Sequence, residues 1–202
     1  MWLSRLRQNN NMTLKRLICG FFIPLFFASG VFASQNFDER LAQLDKLLQT
    51  DLPQAEMVFT ELAPSVSQFT RPQLATYHTL SSIKHLYLSE LEQAHHSLDI
   101  ALSFEPSEEL LTRIYLYKVT IYLMQRNYEA AFSMLEMNLS RIESYQDNRL
   151  KVASYVRLLN ILLDLNAYDE MRDTANLVLD INQGQDTKNE CYAKLYLAVA
   201  TL

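Results

Sequence analysis

Residues 91–106, LEQAHHSLDIALSFEP, constrain the fold more than any other stretch, because their pattern recurs. Read as a helix, the stretch gathers Leu91, Ala94, Leu98, Ala101 and Leu102 on one side, and such a stripe needs a close partner along its flank. LPQAEMVFTELAP (52–64), YEAAFSMLEMNLS (128–140) and YDEMRDTANLVLD (168–180) carry the same stripe. Their leading residues 52, 91, 128 and 168 lie 39, 37 and 40 apart. A second amphipathic run precedes each one, at 37–49, 73–88, 110–125 and 150–165. The unit is a helical hairpin: about 37–64, 73–106, 110–145 and 150–182, with an incomplete unit at 188–202. A two-helix period within roughly 34–47 residues predicts an all-α chain whose hairpins stack as an α-solenoid.

Glycine and proline usage agrees. After residue 33 the only glycine is Gly184, whereas a β-rich or α/β chain of this length needs more for its turns and phosphate loops. Pro53 and Pro72 stand where the first turn of a helix tolerates them, and Pro64 and Pro106 stand after apolar runs, where they stop one. Ser107 followed by Glu108 and Glu109 reads as a capped helix start. Ala94, Ala101 and Ala131 would let paired helices approach at the near end of the usual 8–10 Å.

These residues resemble the tetratricopeptide repeat (TPR). Ala94, Leu98, Ala101, Leu102 and Pro106 fall at the spacing of that motif's second half, with Leu91 where the family has an aromatic. MQRNYEAAFSML (124–135) matches the turn and second-helix start, and Tyr122 the late aromatic of the first helix. The units at 37–64 and 150–182 are degenerate, and the small residue expected in each first helix is Ser82 in one unit but Val119 and Leu159 in others. The resemblance implies a right-handed superhelix whose first helices line a concave side. At its groove positions stand Thr76, Thr79, Arg113, Thr120, Asn160 and Asp164, as contacts for a peptide or protein partner. Arg113 is suited to take a carboxylate bidentately. The polar linkers and longer units are also similar to the periplasmic repeat region of bacterial diguanylate cyclase sensors. The Gly-Gly-Asp-Glu-Phe run of the cyclase is absent from this sequence. Two functions follow as expectations: a non-catalytic interaction module of the bacterial cell envelope, or the sensory input region of a truncated cyclase-type protein.

The expected compartment comes from residues 1–33. They hold four basic residues (Arg5, Arg7, Lys15, Arg16), no acidic one, the apolar run LICGFFIPLFF and the small residues ASGVFAS. That is the build of a secretory signal peptide cut after Ala33, which makes the remainder, 34–202, periplasmic or secreted. The alternative is an uncleaved inner-membrane anchor facing the periplasm, the one way in which a membrane would be a partner. Without the leader, 23 acidic residues face 14 basic ones, a net charge of −9 with no basic cluster, which excludes nucleic acid as a partner. Cys191 is the one cysteine left, so no intramolecular disulfide is expected. The run NECYAKLYLAVATL (189–202) is apolar around much of its circumference and calls for a neighbour: a truncated reading frame, a partner subunit, or self-association between copies.

Chemistry is thinly represented. His78 and His85 are seven apart on one predicted helix, and His95 and His96 are adjacent on another, about 100° apart around its axis. Acidic or cysteine ligands stand at no fixed spacing to them, so no metal or other cofactor is expected. The tyrosines and phenylalanines, at helical spacing, read as packing. No nucleophile elbow, phosphate loop or zinc signature occurs, so no catalytic residue is assigned and no enzymatic activity is expected.

Overall fold

Prolines and polar caps set where the helices begin. The computed structural model describes residues 29–142 and 148–201, with side chains from residue 36. Helix α1 spans Ser29–Thr50, so the expected cleavage point after Ala33 lies in its first turns, and residues 1–28 lie outside the described part. Helix α2 (Leu52–Leu62) starts at Asp51, whose carboxylate accepts the Gln54 N–H at 3.0 Å, with Pro53 in the first turn. Before α3 (Arg71–Tyr87), the Thr70 N–H donates to Gln73 Oε1 at 3.0 Å, half of a capping box, and Pro72 follows. Helix α4 is Leu91–Leu102. Helix α5 (Glu108–Met124) begins with the Ser107 hydroxyl accepting the Leu110 N–H. Helices α6 (Tyr128–Ile142), α7 (Asn148–Asp164), α8 (Tyr168–Asn182) and α9 (Thr187–Val199) complete an all-α chain, with no strand among the described residues. Pro64 does not leave a bare loop: α2 ends at Leu62, but residues Ala63–Gln68 continue as a 3₁₀ helix with Pro64 in its first turn, where a missing N–H costs nothing.

Three hairpin turns are copies of one another. Ser89, Arg126 and Asn166 all adopt left-handed backbone, with φ of 59°, 55° and 56°. In each turn that residue's N–H bonds the carbonyl three back, and the next N–H reaches five back: Glu90 to His85, Asn127 to Tyr122, Ala167 to Leu162, at 2.8–2.9 Å. This is a Schellman closure, which satisfies the orphan carbonyls of the first helix. Glycine ordinarily occupies such a site; here serine, arginine and asparagine do, so the scarcity of glycine carries a small strain at two of the three.

The same periodicity governs burial. In the second helices, positions 94, 131 and 171 hold Ala94, Ala131 and Met171, and positions 98, 135 and 175 hold Leu98, Leu135 and Ala175; all are buried. In the first helices, Ala75, Thr112 and Val152 are buried, as are Ser82, Val119 and Leu159. The bulky Val119 and Leu159 therefore sit at the contact that Ser82 makes. The core is a series of four clusters. One joins α1, α2 and α3, the next α4 and α5, the third α5, α6 and α7, and the last α7, α8 and α9. Phe37, Phe59, Phe69 and Tyr77 knit the first, with ring centroids 4.9–5.7 Å apart. Helix α1 packs on α2, each helix from α3 to α9 packs on its chain neighbour, and the odd-numbered helices also touch in sequence, α1 on α3, α3 on α5, α5 on α7 and α7 on α9.

Polar contacts reinforce the same neighbours. Gln73 Nε2 donates to Asp38 Oδ1 at 2.8 Å, tying α3 to α1, and the buried Asn138 Nδ2 donates to Ser154 Oγ at 3.1 Å, tying α6 to α7. In the turn before α9, Asn182 gives and receives one hydrogen bond with the Asp186 backbone, at 3.0 and 3.1 Å. Helix α9 buries Ala193 and Tyr196 but leaves Leu195 57% exposed. Among the described residues no helix is long and apolar enough to cross a membrane.

Two outcomes are expected. Ala101 is fully buried, so Ala101→Leu overpacks the α4 contact and lowers stability by about 1–3 kcal/mol. Arg126→Gly relieves the left-handed turn and raises stability by about 0.5–1 kcal/mol. Both are read from urea unfolding midpoints at constant m value.

Candidate functional site

Residues of the odd-numbered helices come together around a common cavity. A cavity of about 770 Å³ is lined from α1 (Asp45, Gln49), α3 (Ile83, Leu86, Tyr87), α5 (Arg113, Tyr117, Thr120, Met124), α7 (Ala153, Arg157) and the start of α9 (Asp186, Lys188). A second, of about 460 Å³, continues it between α5, α7 and α9 and shares Ala153, Arg157, Asp186 and Lys188. The helical offset explains the lining: Arg113, Tyr117, Thr120 and Met124 stand four, seven and eleven residues along one stripe of α5.

The six residues expected in the groove have different fates. Arg113 lies in it, with its guanidinium held bidentately by Asp45 of α1 at 2.9 and 2.8 Å. The geometry expected for an outside carboxylate is thus met inside the chain. Burial alone would push the guanidinium down, but the Asp45 hydrogen bonds outweigh it and hold Arg113 above its ordinary value. Thr120 lines the groove, with its hydroxyl donating to the Leu116 carbonyl of its own helix. Asn160 lines the second cavity; its Oδ1 accepts the Tyr196 hydroxyl and its Nδ2 donates to the Val156 carbonyl at 3.2 Å. Thr76 is half-buried and bonds the Pro72 carbonyl, and Asp164 is exposed beyond the lined stretch. Thr79 is not a groove residue. It is fully buried, its hydroxyl donates to the Ala75 carbonyl at 2.8 Å, and its counterparts one and two units on, Leu116 and Val156, are buried as well. Leu116 and Val156, though buried, line the second cavity, whereas Thr79 lines neither.

Arg157 was missed by the sequence reading. It stands three residues before Asn160 and seven before Asp164, so the helical offsets that select those two select it also. Tyr192 and Lys188 of α9, four residues apart, belong to the same wall.

A separate polar cluster joins α4 to α5. Lys118, with its side chain 8% exposed, gives its ammonium to Asp99 Oδ1 at 2.5 Å; Asp99 Oδ2 lies 3.2 Å from His95 Nδ1, and His95 Nε2 lies 3.3 Å from the Tyr122 hydroxyl. Burial would raise the Asp99 carboxyl, but the hydrogen bond and charge of Lys118, with His95, bring it below its ordinary value. The other histidines are apart. His78 stacks on Phe104 at 5.8 Å, with burial, then His96, lowering its pKa, and His85 Nδ1 lies 2.6 Å from Glu90. Among the described residues no group of three or more His, Cys, Asp or Glu side chains is placed to hold a metal ion.

Asp99→Asn takes the charge partner from a buried ammonium and is expected to cost about 1–3 kcal/mol at pH 7. Because the folded carboxyl titrates below its unfolded value near 4, the stabilisation from Asp99 is present above about pH 4 and fades as pH falls through the lowered folded value. The difference between wild type and Asp99→Asn in unfolding free energy is therefore expected to shrink from pH 6 to pH 3.

No protein-family model, no curated protein and no solved structure matches this chain.

Proposed function

We propose that the chain is a non-catalytic interaction module, a TPR-like α-solenoid that binds a peptide or protein partner along the face of its odd-numbered helices. The observation that carries this reading is the 770 Å³ groove, which draws its lining from four successive odd-numbered helices and opens into the 460 Å³ cavity at α9. An extended segment fits such a surface because every hairpin offers it the same stripe at a fixed translation. Supporting it, the groove mixes apolar surface from Ile83, Leu86, Tyr87 and Met124 with the polar ends of Gln49, Tyr117 and Thr120. Anchors of that kind bury area while fixing orientation. The TPR resemblance of residues 91–106 and 124–135 points the same way, and the leader-like composition of residues 1–33 supports a module of the bacterial envelope.

The test is site-specific photocrosslinking in intact cells. A photoreactive side chain at Thr120, inside the groove, is expected to trap a discrete partner. One at the exposed Phe132 of α6, which lines no part of the groove, is expected to trap none. Adducts from position 132 alone would place the binding surface elsewhere and refute the groove reading.

A further inference from the structure

Arg40, Arg71, Arg113, Arg141 and Arg172 each hold a carboxylate of this chain: Glu61, Glu105, Asp45, Glu108 and Asp169. Arg157 holds none. Its guanidinium has no hydrogen-bond or ion-pair partner among the described residues, its Nε is sealed from solvent, and the side chain is half-buried in the wall of both cavities. The sealed Nε pays desolvation and is out of reach of solvent and anion alike, whereas the rest of the guanidinium, in the wall of both cavities, is open to an anion that would offset the cost of holding the charge there. Lys188, exposed on the opposite wall, carries a second positive charge with no ion pair among the described residues.

The neighbouring polar groups are already committed. Asp186 is the one acid lining the smaller cavity. Its carboxylate accepts the backbone N–H groups of Lys188 and Asn189 at 2.9 and 3.1 Å and the Asn189 side chain at 2.8 Å. Asn160 is taken by Tyr196 and the Val156 carbonyl. What remains is two cations against one engaged carboxylate, in a 460 Å³ cavity walled by Tyr192 and Tyr196, within a chain whose formal charge is −5. A local excess of positive charge in an acidic protein has no use in solubility, and a fork-shaped donor set suits an oxyanion.

We propose that the cavity between α5, α7 and α9 is an oxyanion site for a small organic acid, with the Arg157 guanidinium holding its carboxylate or phosphate group and Lys188 supplying the second charge. The volume lies within the roughly 300–1,000 Å³ usual for small-molecule pockets. The opening into the larger groove leaves room for the rest of the ligand along Tyr117. This site stands on Arg157 and Lys188, and it requires no protein partner in the groove.

Isothermal titration of the chain with succinate, inorganic phosphate and an acidic peptide with blocked termini tests it, at low ionic strength in a buffer free of both anions. Saturable binding of succinate or phosphate is expected, and the stronger of the two names the anion's chemistry. Arg157→Lys keeps the charge but loses the fork and is expected to weaken binding about tenfold or more. Lys188→Gln, at an exposed position, is expected to weaken it with the melting temperature of the free protein unchanged. Arg172→Gln, on α8 outside the cavity, leaves it unchanged. Saturable binding of the peptide alone would overturn the small-acid site while leaving the groove reading intact. Binding of none of the three, or equal affinity in the Arg157 and Lys188 variants and wild type, would overturn it outright. Partner capture from position 120 is unaffected by either result, so the two readings fail separately.

Discussion

No hairpin in this chain can hide its own flank. Each second helix carries a buried stripe, such as Ala94, Leu98 and Ala101 in α4, and each first helix carries another, such as Thr112, Val119 and Ile121 in α5. The four core clusters show how these are covered: three of them draw on three consecutive helices and one on two, and none gathers the whole molecule. Stability is therefore local in sequence and shared between neighbours. Buried alanines set how close the second helices come, and the hydrogen bonds from Gln73 to Asp38 and Asn138 to Ser154 hold successive units in register.

That arrangement has a second consequence, which is the groove. When hairpins pack side by side, the exposed stripes of α1, α3, α5 and α7 are brought onto one surface, although they are separated by about forty residues in the chain. The Asp45–Arg113 pair makes the point: 68 residues apart in sequence, they meet across α3 at 2.8–2.9 Å. The pair joins units that are not chain neighbours and partly neutralises the middle of the groove, while Arg157 and Lys188 leave its α9 end positive.

The helical content was legible because apolar spacing, caps and prolines agreed with one another at most helix starts, as at Pro53, Pro72 and Ser107. Burial at Ala94, Ala101 and Ala131 was legible for the same reason. The groove was read less well. Thr79 stands at a family groove position, yet its hydroxyl is satisfied within its own helix, and a methyl-bearing side chain so satisfied is at home in a core. Arg113 was identified, but its partner was not, since a contact across two helical spacings leaves no trace in local periodicity. Arg157 lay on the chosen stripe and was passed over because the family groove positions, rather than the helical offsets, guided the choice. The 3₁₀ segment after Leu62 was hidden by a proline that permits a first turn as readily as it ends a helix.

If each unit is sheltered chiefly by its neighbours, local stability must vary along the chain, highest where a helix is covered on both sides. Native-state hydrogen exchange, followed residue by residue, measures this directly. The account predicts that buried amides of α5 and α7 open with the largest free energies and those of α9 and α2 with smaller ones, in contiguous blocks that follow the hairpins. One common opening free energy for the slow amides of every helix would mean a single cooperative core and would contradict it.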